Sequence, residues 1–441
     1  MVDMDFIVDT STECRMAEYL SRLGGVVGGK RRRESFAMYA VGLMGDGERK
    51  SAEPIAARAC GDPSLADAYH QRLTYFLSES EWSDTPIRRF AARYALDEMT
   101  KREPVQAWII DDTGFLKQGV HSVGVQRQYT GTAGKITNCQ IGASLSIATR
   151  SEHVPVDFEL YLPHCWAEDP VRRKEAHIPD EIGFQTKPEL AIQMIRRAVA
   201  DDLPKGVVLG DSAYGDSTAF RREIRELGLD YAVGVHAPTT VWRLTKSGKP
   251  YGAPMSVVEV GLHMGLEFRK VTWREGCKGK LSSRFTSCRV RPVHHTAGGA
   301  DDEEVWLLIE WPTNELVPSK FWLATLPKTT TRKQLVRLVK ERYRTERVYE
   351  DLKGELGLDH FEGRTFRGWH HHVTVALSCF AFIVAERVRR FSPRCRPQEN
   401  NDAIQGETRA PLSRVLHYRA SGLRSNHRQL AAEVPAVPQA Q

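Results

Sequence analysis

Ala107-Trp108-Ile109-Ile110-Asp111 is an apolar run that ends on a carboxylate, and Val207-Val208-Leu209-Gly210-Asp211 repeats the pattern further along the chain. Short apolar runs of this kind read as buried strands. Residues 138–149 (NCQIGASLSIAT) and 153–163 (HVPVDFELYLP) add two more strands. Residues 187–202 (KPELAIQMIRRAVADD) and 217–228 (STAFRREIRELG) carry helical apolar spacing, and 231–237 (YAVGVHA) returns to strand. Strands that come to alternate with helices favour an α/β layer fold. Acids at the carboxyl ends of such strands face the crevice where ligands bind. Carboxylate oxygens are also the ligands that Mg²⁺ and Mn²⁺ prefer. Each aspartate alone reads as readily as local structure, with Asp111 starting a turn with Asp112 and Thr113, and Asp211 capping a helix.

Outward from this centre, residues 1–100 read as a helical N-terminal domain. Its stretches 16–25 (ending in a Gly24-Gly25 stop), 34–61 and 64–80 carry helical spacing with glycine and aspartate between them. Residues 101–235 form the first part of the core, and 236–320 read as a β-rich insertion with short strand-like pieces at 239–244, 256–262, 266–273, 284–293 and 304–311. Residues 321–392 return to the core with a strand (FWLATLP), a long helix over 331–353 and an apolar helix after Trp369. The tail from 393 to 441 is rich in Pro, Asn, Gln and Ser and is expected to be partly disordered.

The whole chain has 441 residues, 41% hydrophobic and 27% charged, a globular composition with length for two or three domains. The longest apolar run, 373–385, falls short of the roughly 18 residues needed to span a bilayer and ends in Glu386-Arg387, so it reads as a core helix and no membrane partner is expected. The acidic first residues lack the pattern of a secretory signal, and a cytoplasmic location is expected. None of the eight cysteines is spaced as Cys-x-x-Cys, which argues against zinc or a disulfide framework. The net charge of +6 permits nucleic-acid binding without demanding it. Positive charge gathers at Lys30 to Arg33, Arg332 to Arg347 and Arg387 to Arg396. Each cluster alone is ordinarily a solvated helix face; together, around an acidic site, they suit a phosphate track.

Within the long helix, at 100° per residue, Arg342 lies about −40°, Lys353 about −20° and Glu350 about +40° from Glu346. One face therefore carries a carboxylate between long cations, which also describes an exposed face with i,i+4 ion pairs.

The stretches DDTGFLKQG, GDSAYG and ERYRTERVYEDLKGELGLDHFEGRTFRGWHHH, in this order, resemble the DDE superfamily of insertion-sequence transposases. The similar branch has an Arg-x3-Glu-x6-Lys helix signature, and VGLMGDGERKSAEPIA resembles its helical N-terminal region. The resemblance implies an RNase H-like mixed-sheet core with a β-rich insertion between the second and third acids. By position it makes Asp111 (in Asp-x-Thr with Thr113), Asp211 and Glu346 the catalytic and metal-holding acids, and Arg342 and Lys353 the signature cations that grip DNA. Val339 stands where the family often has a tyrosine, a departure that removes any role tied to that side chain. The implied cofactor is Mg²⁺ or Mn²⁺, two ions, activating water and stabilising the leaving 3′ oxygen. The implied partners are double-stranded DNA, as terminal inverted repeats and target, with a homodimer on DNA and a nucleoid-associated location.

The resemblance further implies DNA contacts from the N-terminal domain over 1–100 and from Lys117 in GFLKQG, a residue that reads otherwise as an exposed loop lysine. His370, His371 and His372 point about 100° apart on a helix and cannot chelate one ion together; one buried and two exposed or DNA-facing rings are expected. Trp306, Trp311 and Trp322 read as core side chains rather than bases' stacking partners. Two other functions fit the same residues: a transposase-derived DNA-binding protein without catalysis, which the intact acids argue against, and a metal-dependent nuclease without strand transfer.

Overall fold

The computed structural model describes residues 10–245, 247–276, 279–293 and 303–390. The tail expected from 393 lies outside the described residues. The chain opens with five helices, α1 (Thr10–Val27), α2 (Lys30–Met44), α3 (Ala52–Ala59), α4 (Ala66–Ser78) and α5 (Asp84–Thr100). Helix α1 passes through Gly24-Gly25, the expected stop, because Leu23 and Val27 on either side are both buried. It ends where Gly28 and Gly29 take φ of 69° and 63°, a left-handed backbone that suits glycine.

Strands β1 (Ala107–Leu116), β2 (Gln126–Thr130), β3 (Lys135–Ala148) and β4 (His153–Tyr161) follow. After short helices α6 (His164–Ala167) and α7 (Pro170–Glu175) come α8 (Lys187–Ala200), β5 (Val207–Gly210), α9 (Ser212–Gly215), α10 (Thr218–Glu226) and β6 (Tyr231–Val235). Strand β3 runs antiparallel to β1 along its whole length, and β2 and β4 share the other edge of β3. Strands β5 and β6 continue the sheet parallel to β1. The order β4-β3-β1-β5-β6, with only the hairpin strand β3 reversed against its parallel neighbours, is an RNase H-like mixed sheet. Helix α8 starts on a capping box, Thr186 with Glu189, and packs on β3 and β4.

The strands beyond β6 are β7 (Thr240–Leu244), β8 (Pro250–Ser256), β9 (Arg269–Gly276), β10 (Gly279–Pro292), β11 (Val305–Trp311) and β12 (Lys320–Ala324), with helix α11 (Val257–His263) after β8. They do not make a sheet of their own. Strand β12 pairs with β6, β11 with β12 and β10 with β11, so twelve strands among the described residues form one sheet. Residues 256–262, expected as strand, are mostly helix, because Ser256 and Glu259 form a capping box that starts a helical turn.

The helix expected over 331–353 is broken into α12 (Arg332–Val339), a 3₁₀ turn over Lys340–Arg342 and α13 (Tyr343–Leu356). The last helix, α14 (Phe366–Arg390), packs on α5 and β4. It is long and apolar enough to cross a membrane by length and composition, and its apolar stretch is buried throughout inside the protein. His370, His371 and His372 are all buried, which corrects the expectation that two would be exposed. The three rings do diverge, as helix geometry requires. His370 meets Glu159 at 3.2 Å, His371 meets the carbonyls of Leu77 and Trp82 at 2.8 and 3.0 Å, and His372 meets Tyr39 at 2.8 Å. Trp306, Trp311 and Trp322 are half-buried rather than core; the indoles of Trp306 and Trp311 donate to the carbonyls of Pro327 and Glu315. The cluster at 387–396 is not a free phosphate track where it is described, since Arg387 pairs with Glu152 and Arg389 with Glu98 and Glu386.

Candidate active site

Strand register brings the two aspartates together. Ala107, Trp108 and Ile109 of β1 pair in parallel with Val207, Val208 and Leu209 of β5. Two residues further along the same register stand Asp111 and Asp211, on strands about 4.8 Å apart. Asp111 is not at a strand end as expected; β1 continues to Leu116 because β3 pairs with it to the last residue. Asp211 follows β5 and does cap a helix, its Oδ1 accepting from Ala213 N–H at 2.9 Å.

The turn that carries Asp211 lies directly on β6. A Cβ on Gly215 would fall 1.9 Å from Gly234 O, and one on Gly234 would fall 3.0 Å from Ser212 N, so glycine at both positions permits this contact. The ring of His236 closes the turn: one nitrogen meets Ser212 Oγ at 3.1 Å and the other meets the Asp216 carboxylate. Sequence reading missed this clamp, because its three members are dispersed across the turn and the end of β6.

Arg342 supplies the cation among the acids. Its Nη1 donates to Asp111 Oδ2 at 2.7 Å, and its Nη2 stands 4.0 Å from Glu346 Oε1. Burial works against the Arg342 charge, but Asp111, Asp211 and Glu346 outweigh it and hold the guanidinium more firmly protonated. Asp111 is 8% exposed. Burial, joined by the charges of Asp211 and Asp112 and opposed by Arg342, pushes its carboxyl up to about 7. The neighbouring Asp112 makes a different set of contacts: Lys187 Nζ at 2.9 Å and the Tyr214 hydroxyl at 3.5 Å. Alternation along β1 separates the two side chains, so Asp111 is the one that faces Arg342. Tyr349 of α13, which sequence reading did not single out, lies beside Asp111 and bonds Ser144 Oγ at 2.7 Å.

Glu346 stands at the rim, its side chain 66% exposed. Among the described residues no three His, Cys, Asp or Glu side chains stand together as a ready metal-holding group. Arg342 takes the Oδ2 of Asp111, and Glu346 faces solvent. The donor chemistry nevertheless fits a hard divalent cation: two carboxylates side by side, one of them buried, with less positive charge around them than they carry negative. Lys353 lies over the same face of β1, donating to Thr113 Oγ1 at 2.8 Å and Gly114 O at 2.7 Å. Lys117 is not gathered with these groups; it donates to Phe361 O at 2.6 Å, and its charged neighbours are Asp359, Glu362 and Arg49.

Residues 22–280 match the DDE superfamily endonuclease family, and residues 186–381 match the transposase DDE domain family. The chain belongs to the DDE superfamily of endonucleases and transposases. A probable transposase for insertion sequence element IS701 from Microchaete diplosiphon is 30% identical over 205 residues, 46% of this chain and 49% of that relative. The alignment therefore spans about half of that relative's length. A cryo-EM structure of piggyBac transposase in a synaptic complex with hairpin DNA overlays 98% of this chain on 81% of its own, with a TM-score of 0.45 and 9% identity.

Proposed function

We propose that this chain is a DNA transposase that cuts the ends of an insertion sequence and joins them to target DNA with divalent metal ions. Asp111 and Asp211 would hold the metal, and Glu346 would complete the set from the rim. The observation that supports this reading is the gathering of Asp111, Asp211 and Glu346 around one guanidinium, with a buried Asp111 carboxyl held up at about 7. A buried Asp111 in that state lacks compensating charge, which a divalent cation would supply. When bound, two such ions would activate the attacking water or 3′-OH and stabilise the leaving 3′ oxygen.

The chain's own residues do the rest. Arg342, now on Asp111, is placed to hand its second face to a phosphate oxygen at the scissile bond. The His236 clamp fixes the turn that aims Asp211. Tyr349 and Ser144 pack against the inner side of Asp111 and exclude water there. The N-terminal helices, Lys117 and Lys353 contribute DNA contacts, with terminal repeats and target DNA as substrates and a dimer as the working form on DNA.

Asp211→Asn tests the reading, because it keeps the side chain's size and removes its ionised ligand. In Mg²⁺, cleavage of end DNA should fall on the order of a hundredfold or more, while metal-free binding of the same DNA stays within about twofold. Cleavage near the wild-type rate would remove Asp211 from the site.

A further inference from the structure

Lys353 is an ammonium surrounded by neutral oxygens. Besides Thr113 Oγ1 and Gly114 O, its Nζ donates to Thr132 Oγ1 at 3.2 Å and stands 5.3 Å from the centre of the Phe115 ring. Among the described residues it forms no ion pair; burial pushes its pKa down to about 8, and the charge of Asp359 offsets only part of that. A cation withdrawn from water without a counter-ion is costly, and an anion arriving from outside relieves that cost.

The surroundings of this lysine are built rather than incidental. The turn between β2 and β3 folds down onto β1. A Cβ on Gly114 would meet Thr130 Oγ1 at 2.0 Å, so glycine at 114 is what lets the turn lie there. Thr130 O accepts the N–H groups of Ala133 at 3.2 Å and Gly134 at 2.9 Å, and Gly134 takes φ of 64° to close the turn. Thr132 is thereby placed with its Oγ1 3.2 Å from Gly114 O and 3.4 Å from Thr113 Oγ1. Two hydroxyls and one ammonium converge. Each hydroxyl accepts from Lys353; Thr132 spends its one proton on Gly114 O, and turning that proton to a phosphate oxygen would still leave Gly114 O the Lys353 donor it already has. Thr113 follows Asp111 by two residues on the same face of β1, about 7 Å along the strand.

We propose that Thr132, presented by the β2–β3 turn, joins Thr113 and Lys353 in a pocket for the DNA phosphate neighbouring the one that is cut, and so sets the register of the DNA strand over Asp111. The pocket rests on the reading of the chain as a DNA-cutting enzyme. Thr132 is a DNA-positioning residue in this account, contributed by a hairpin that carries none of the three acids.

The test uses the full chain in EDTA and terminal-repeat duplexes in which single backbone phosphates near the cut are replaced, one at a time, by neutral methylphosphonates. Wild-type binding should weaken about tenfold at one position, the size expected of a lost charge-assisted contact. Thr132→Val should weaken binding of unmodified DNA about as much and lose nothing further at that position, with an unchanged melting temperature. Thr132→Ser should restore binding. If Thr132→Val fails to fold, the same scan with Lys353→Gln decides, since that variant should be blind to the same position. Wild-type affinity in Thr132→Val, or a scan in which no position is coupled to either residue, overturns the pocket while leaving the DNA-cutting reading standing. Failure of the wild-type chain to bind end DNA at all overturns both.

Discussion

Asp111 carries a charge in a place that disfavours it. In the unfolded chain its carboxyl titrates near 3.8, and in the fold burial raises it to about 7 in spite of Arg342. Between those values the folded chain holds a proton that the unfolded chain has released. Stability therefore falls as pH rises through this window, and the whole cost is present above about pH 7. Asp111→Asn should stabilise the metal-free protein by about 1–3 kcal/mol at pH 8, a gain that shrinks as the pH is lowered toward 5. Urea unfolding at the two pH values measures it; a loss of stability at pH 8 would mean that the Arg342 contact outweighs burial. The two aspartates were legible because each closes an apolar run. The choice between Asp111 and Asp112 followed only from the resemblance, and it is the alternation of β1 that physically separates them. The Thr132 contact was not legible, since it joins a turn to residues 19 and 221 positions away.

At the scale of elements, the break between α12 and α13 has a cause in the sheet. Lys340 pairs with Glu310 of β11 at 2.6 Å, with its Nζ 4.7 Å from the Trp273 ring and 5.3 Å from that of Trp322. Two residues later Arg342 is drawn to β1. A helix anchored to two distant strands tightens into a 3₁₀ turn between them. Periodicity described 331–353 as one helix because the apolar spacing survives the break; the buried partner Glu310, 3% exposed, gave no sign in its own strand. Lys340→Ala should cost about 3–5 kcal/mol by stranding that carboxylate. Adding Glu310→Gln should recover most of the loss in urea unfolding, whereas additive losses would show that the two side chains do not act as a pair. The capping box at Ser256 was equally present in the sequence, but the alternating valines around it outweighed it in a reading by period.

For the whole molecule, α14 joins the helical N-terminal segment to the sheet. Tyr19 donates to its Ser378 carbonyl at 2.8 Å, Tyr39 meets His372, and Arg15 pairs with Glu386. That explains why polar residues sit inside an apolar helix, and why a helix-wheel reading expected exposed histidines: their partners are supplied by segments hundreds of positions earlier. The strand-and-helix order of residues 107–235 was legible, and so was the β-rich character of the interval before Glu346. That those later strands extend the same sheet through β12 was not, since long-range pairing leaves no local pattern. The sheet's continuity ties Asp111, Asp211 and the helix of Glu346 to one rigid support, on which the central claim of DNA cutting and joining rests. The most direct measurement is a strand-transfer assay with precut terminal-repeat ends bearing free 3′-OH groups, a supercoiled target and Mg²⁺. The account predicts covalently joined product from the wild-type chain and none from Asp111→Asn, Asp211→Asn or Glu346→Gln. Cleavage of uncut ends with no joining by the wild-type chain, or joining that survives loss of any one of these acids, would contradict it.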